Sequence, residues 1–239
     1  SPLIAASLPL HSNGQGFSVT AQNGAIETVE DYKDQSFTVT VFLQKSIGSA
    51  SSNNLNDLAI KTAVDKAFSL SSLTATDDCN GLADKERMAN KAIDLDLYHP
   101  WDLDIDTAKQ IAIECEAAAL ESDNRVVNSE GATVGSYVTK SLFVNSHGFT
   151  GYSEATGHTI SCTAIAQNNG AMEMDYDYTS ARHYEDLTGH KIIGNQAGLR
   201  ASQNLGSRKI KTQKASVIFS PRVSSSLVSH IMNAISGSS

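Results

Sequence analysis

Two Asn-Gly steps, Asn23-Gly24 and Asn169-Gly170, each lie between segments in which apolar and polar residues alternate, and this commits the chain to antiparallel hairpins. A two-residue hairpin turn needs positive φ at both central positions, which Asn and Gly tolerate and bulky or β-branched residues do not. Around the first turn, GFSVTAQ from Gly16, AIETVED from Ala25 and SFTVTVFLQ from Ser36 read as a meander of strands. Around the second, HTISCTAIAQ and AMEMDYDY read likewise, preceded by RVVNSEG and the long TVGSYVTKSLFVN. In AMEMDYDY, Met172, Met174, Tyr176 and Tyr178 share one face and Glu173, Asp175 and Asp177 the other, so the apolar face is expected to pack and the acidic face to be wet. Asn13-Gly14-Gln15-Gly16 stands before a strand rather than a helix and reads as a turn, not a phosphate cradle.

Helical spacing begins at Asn54, with Leu55, Leu58, Ala59, Thr62, Ala63 and Ala67 on one stripe and Asn53 or Asn54 as N-cap. A second helix runs from Asp106, its cap, to about Ser122 on a stripe of Ala108, Ile111, Ala112, Cys115, Ala118 and Ala119, which makes Cys115 a small core residue. His190 to Leu205 forms a third helix stopped by Gly206, after which KIKTQKASVIFS leads through a basic linker into a short strand. Ser220-Pro221 opens a fourth, with Val223, Leu227, Ile231 and Ala234 as its apolar face. The expected fold class is α+β, mostly antiparallel sheets flanked by helices in two subdomains. These are residues 1–78 and 106–212, joined by an Asp-rich connection at 79–105, with 213–239 as the start of a truncated C-terminal domain.

The net charge of −8 repels polyanions, and the basic run of Arg200, Arg208, Lys209, Lys211, Lys214 and Arg222 has no interleaved aromatics, so nucleic acid is disfavoured as a partner. Three scattered cysteines, Cys79, Cys115 and Cys162, leave one unpaired under any disulfide scheme and fit reduced thiols in a cytoplasm. No apolar run approaches the roughly 20 residues that span a bilayer, so no membrane role is expected.

Candidate sites are sparse. The carboxylates Asp94, Asp96, Asp102, Asp104 and Asp106 alternate like a calcium loop, but counted from Asp102 the sixth and twelfth positions hold Thr107 and Ile113 in place of Gly and Glu. A solvated segment anchored by Leu95, Leu97, Leu103 and Ile105 and ending in a helix cap accounts for it. The histidines show no ligand pair at helical spacing, and no GxSxG elbow is present. The best polar constellation is Asp175, Tyr176, Asp177 and Tyr178 with Arg182 and His183 following. An Asp-Arg pair at a strand end explains it without a ligand; as a contact for peptide or partner it offers Asp175, Tyr176, Tyr178 and Arg182, together with Asn145 and His147 of NSHGF.

GSASSNNL, CNGLADKE from Cys79, DLDLYHPW from Asp94, NSEG from Asn128, NSHGF, DYDYTSAR and RKIKTQKASVIFSPRV occur in an order and spacing that resembles the PmbA (TldE) branch of the TldD/PmbA family, also described as modulators of DNA gyrase. The resemblance runs from about Gly16 to the end of the chain and covers roughly the first half of a family member. It implies a cytoplasmic, hetero-oligomeric metallopeptidase acting on unfolded or extended peptides, in which a TldD-like subunit supplies zinc. In TldD-type members a helix carries His-Glu-x-x-x-His, whose imidazoles bind zinc and whose glutamate can activate water. A spacing of five sets such ligands about 140° apart on a regular helix, so that site needs local distortion to converge. Here Ser229 and Ala234 stand at the ligand positions and His230 at the place of the base, so no catalytic residue, metal ligand or cofactor is expected in this chain and alone it should be inactive. The alternative implied by the resemblance is a regulatory binding protein. Self-association in isolation is also expected, through the exposed stripe after Pro221.

Overall fold

The computed structural model describes residues 4–236, with side chains from Gly14 onward. Contacts divide the chain into two compact units, residues 1–206 and 207–239.

The first unit is built on one antiparallel sheet. Its strands are β1 (Ile4–Gln22), β2 (Ala25–Asp34), β3 (Phe37–Leu43), β4 (Ser46–Ser52), β5 (Val126–Asn145), β6 (Thr150–Asn168) and β7 (Ala171–Ala181). They lie in the order β4-β3-β1-β5-β6-β7, with β2 paired to the C-terminal part of β1. The helices are α1 (Asp57–Ser71), α2 (Ile105–Leu120) and α3 (His190–Asn204). The α+β class is as the sequence indicates, but the regions on either side of the Asp-rich connection share one sheet instead of forming two. β1 makes the join, pairing with β3 at Ala6↔Val41 and with β5 at Val19↔Val134.

The Asn23-Gly24 and Asn169-Gly170 turns form as their chemistry requires, all four residues having φ between 49° and 82°. A third hairpin turn, Gln44-Lys45, reaches φ of 49° and 72° with residues that do not announce it. Strand β4 behind it is SIGSASS, too small and polar to alternate visibly. RVVNSEG and TVGSYVTKSLFVN are one strand, β5, with register shifts at Val126/Asn128 and Ser129/Gly131. The Gly14-Gly16 stretch is part of β1 rather than a turn: Gly16 pairs with Tyr32 and Tyr137, and a Cβ on it would lie 2.5 Å from the Ser136 carbonyl.

Two hydrophobic clusters hold helices to the sheet. The larger joins Val19, Ala132, Val134, Ile160 and Cys162 to Ala108, Ala112, Cys115 and Ala119 of α2 and Ile193, Ala197 and Ala201 of α3. Small residues let these helices approach closely, and a Cβ on Gly194 would sit 1.9 Å from the Cys115 carbonyl. A hydrogen bond with the Cys115 thiol, together with burial, pushes the Cys162 thiol up from its ordinary pKa.

The smaller cluster packs Ala63 and Ala67 of α1 on Phe37, Val39 and Val41. Here the expected stripe is displaced. Leu58 is 73% exposed, and Ala63, Ala67 and Ser71 are buried, because α1 lies so close to β4 that a Cβ on Gly48 would be 2.2 Å from the Ala67 carbonyl. The caps also move: Asn56 and Asp104, in place of Asn53 or Asn54 and Asp106, accept the main-chain N–H groups of Ala59 and Thr107, each at 2.8 Å.

β7 reverses the expected facing. Met172, Met174, Tyr176 and Tyr178 are exposed, whereas Glu173, Asp175 and Asp177 lie half-buried on the α3 side. Register decides this, since Asp177, Asp175 and Glu173 stand opposite the buried Cys162, Ala164 and Ala166 of β6. Arg200 of α3 pairs with Asp177, and Asn204 Nδ2 donates to Asp175 Oδ2 at 3.0 Å.

In the second unit, the strand expected after Lys214 does not form; residues 207–220 are irregular. Helix α4 (Pro221–Ala234) begins at the proline as anticipated, and none of its residues is buried.

Candidate functional site

The residues picked from the sequence occupy separate places. Asn145 closes the β5–β6 turn: its Oδ1 accepts the N–H groups of His147 (3.0 Å) and Phe149 (3.2 Å), leaving His147 exposed at the tip. Tyr176 and Tyr178 stack with ring centroids 6.2 Å apart on the open side of β7, with Asp175 on the α3 side. Arg182, just past β7, donates from Nη1 to the Thr156 carbonyl at 2.8 Å. Ser229, His230 and Ala234 lie on α4, where the Ser229 hydroxyl donates to the Ser225 carbonyl at 3.1 Å. Among the described residues no group of three His, Cys, Asp or Glu side chains is placed to hold a metal ion.

The most highly connected polar cluster was not legible in the sequence. DLDLYHPW crosses β6 at Thr156 and His158, where β7 ends; of the four anchors expected there Leu103 is buried as anticipated, whereas Leu95 is 67% exposed and Leu97 and Ile105 are not buried. His99 and Trp101 do that work instead. The buried Thr156 hydroxyl accepts the His99 N–H (2.9 Å) and donates to the Arg182 carbonyl (2.8 Å). His158, 1% exposed, uses both ring nitrogens, Nε2 with the His99 carbonyl at 2.9 Å and Nδ1 with Ser136 Oγ at 3.0 Å. A carbonyl can only accept, so Nε2 donates to it, and Ser136 Oγ can exchange a hydrogen bond with Nδ1 in either direction. Trp101 meets the His158 ring edge-on and stacks on Tyr184 at 5.4 Å, while His183 lies 5.0 Å from His99. Histidines scattered along the sequence therefore gather in space, with both ring nitrogens of His158 and one each of His99 and His183 in hydrogen bonds to neighbouring groups. The repeated pairing of aromatic with imidazole in YHPW and RHY was the signal available.

Beside this cluster runs a groove of ≈ 560 Å³ between residues 92–98 and Tyr152, Ser153 and Glu154 of β6. Glu154 accepts from the Tyr152 hydroxyl and pairs with Lys140 at 3.1 Å, and these two contacts lower its pKa. The same hydrogen bond raises that of Tyr152. Asp94 and Asp96 stand on the opposite wall. The arrangement presents main chain, aromatic rings and carboxylates to solvent, which suits holding a ligand better than reacting with one.

Comparison with known proteins gives a consistent result. Residues 98–205 match the family model of the PmbA/TldA metallopeptidase central domain, and residues 10–71 that of PmbA/TldA metallopeptidase domain 1. A metalloprotease PmbA of Escherichia coli O157:H7 is 40% identical over 95% of this chain and 51% of its own length. A PmbA homolog of Haemophilus influenzae is 37% identical over 94% of this chain and 50% of its own. The chain thus spans about half the length of the curated relatives it matches. Among solved structures, a candidate modulator of DNA gyrase from Bacteroides thetaiotaomicron superposes with a TM-score of 0.86 at 26% identity, over 98% of this chain and 53% of that one.

Proposed function

The chain belongs to the PmbA/TldD family of metallopeptidases, and from that premise we propose that it serves in the metal-free subunit of a two-chain peptidase acting on unfolded or extended peptides. The observation that carries the reading is the donor set at Ser229, His230 and Ala234. A catalytic zinc takes typically three protein ligands. These positions offer one imidazole, one hydroxyl engaged with Ser225 and one methyl group, so they do not fit zinc. A TldD-like partner would supply zinc and general base, and this chain would contribute binding surface. The exposed free Cys79 suits a reducing, cytoplasmic setting.

Reconstitution tests the reading. The full-length protein, a full-length TldD-like protein and their mixture are assayed on an unstructured peptide, with and without a chelator. Cleavage is expected from the mixture and lost to the chelator; chelator-resistant cleavage by this protein alone overturns the assignment. The description of the Bacteroides relative favours a second reading, a regulatory binding protein. No gain on mixing, together with gyrase subunits co-purifying from cells, would select it.

A further inference from the structure

β6 is longer than the partner on its outer side. β7 ends at Ala181, opposite His158, so β6 from Thr150 to Gly157 has β5 on one edge and no strand on the other. The direction of the free groups follows from one hydrogen bond. Thr156 donates its N–H to the Leu97 carbonyl at 2.9 Å, away from β5, and its own carbonyl accepts from Arg182. Main-chain groups alternate sides along a strand, so those of Glu154 and Tyr152 point the same way as those of Thr156. Beyond Thr156 nothing seals them: among the described residues, neither has a main-chain partner on that side. They open into the groove bounded by residues 92–98.

An unpaired row of N–H and C=O groups is a template for another strand. We propose that this edge, at Tyr152 and Glu154, takes up an extended peptide as an added strand, with basic side chains directed to Asp94 and Asp96. The groove is suited to it. A strand added to β6 would lie ~4.8 Å away, and its side chains would alternate between the two faces of the sheet. The exposed Ile93, Leu95 and Tyr98 line the opposite wall as apolar contacts. Glu154 is already paired with Lys140, whereas among the described residues no Lys or Arg pairs with Asp94 or Asp96, and His99 Nε2 lies 3.5 Å from Asp96. The excess is therefore negative, which selects a basic peptide over an acidic one.

This deepens the peptidase reading and rests on it for the choice of peptide over other strands. Its readout is binding, so failure of cleavage and failure of this site are separate results. Fluorescence anisotropy would follow a labelled, end-capped peptide of four Lys-Val repeats titrated with the 239-residue protein. The companions are an Asp-Val repeat, a Lys-Val repeat with every main-chain amide N-methylated, and the protein variants Glu154→Pro, Glu154→Gln and Asp94→Asn/Asp96→Asn. Proline at 154 removes an outward N–H and leaves the β5 ladder intact. Binding of Lys-Val is expected to weaken roughly tenfold on N-methylation and in Glu154→Pro, with Glu154→Gln within about threefold. The double Asn variant should weaken it about fivefold and flatten its salt dependence. Thermal melting checks that Glu154→Pro folds, and the N-methyl arm on the unaltered protein decides the matter if it does not. Equal binding of the N-methylated peptide, or tighter binding of Asp-Val, overturns the proposal. So does concentration-dependent dimerisation abolished by Glu154→Pro, which would make a second copy the occupant.

Discussion

Glu116 is 1% exposed, yet among the described residues nothing cationic pairs with it. Instead its two oxygens accept the N–H groups of Asn23 at 2.8 Å and Gly24 at 2.9 Å and the hydroxyl of Ser129. A side chain of α2 thereby grips the β1–β2 turn and the bulged start of β5 at once. Truncation would leave the buried Ser129 hydroxyl without its acceptor and release the two turn N–H groups, which belong to exposed residues, so Glu116→Ala is expected to lose about 2 kcal/mol in urea unfolding, and Glu116→Gln less, because it keeps one acceptor. Two other carboxyls contribute to the acid sensitivity. Hydrogen bonds from Gln110, His190 and Lys191 hold Glu114 at about 2, and Arg125 holds Asp123 at about 2. Their folded pKa values lie below the unfolded ones, near 4, so their contribution is complete above pH ~4.3 and is lost as pH falls through 2. The urea midpoint should drop between those limits, with a shallower slope in Glu114→Gln.

At the level of elements, β7 separates exposure from apolarity. Met174→Ser should change stability by no more than about 0.5 kcal/mol, since Met174 is 53% exposed. Asp177→Ala should cost about 1.5 kcal/mol, because it unpairs Arg200 on the packed side. Chemical denaturation of the two variants checks the order, which is the reverse of what alternation suggests. Most elements were legible because turn chemistry and periodicity are local: Asn-Gly fixed both hairpins, and Pro221 fixed the start of α4. What was not legible depended on neighbours. β4 is recognisable only by the helix lying on Gly48, the facing of β7 only by its register with Cys162 and Ala164, and the His99–Trp101–His158 cluster only by the crossing of residues distant in sequence. Of the candidate site, the sequence carried the motif DLDLYHPW but not the open edge beside it, since an unpaired strand edge is a property of strand lengths and has no residue signature.

For the molecule as a whole, the division at Gly206 makes a direct prediction. Residues 1–206 should melt within about 2 °C of the 239-residue chain, because among the described residues none beyond that point belongs to the sheet or its cores. Light scattering should meanwhile show less self-association without α4, whose Val223, Leu227 and Ile231 are unburied. Equal behaviour of the two lengths would mean that the stripe plays no part in association. The placement of β1 has a different consequence, in time. Of the seven strands of this sheet the earliest in chain order is an interior one, and its β5 partner arrives only after α1, the long connection and α2. At 5–20 residues per second, Val19 waits on the order of ten seconds for Val134 to leave the ribosome. During that interval the nascent meander carries an unpaired interior edge, and pairing this distant in sequence is expected to make refolding slow, which stopped-flow refolding of the 239-residue chain would measure.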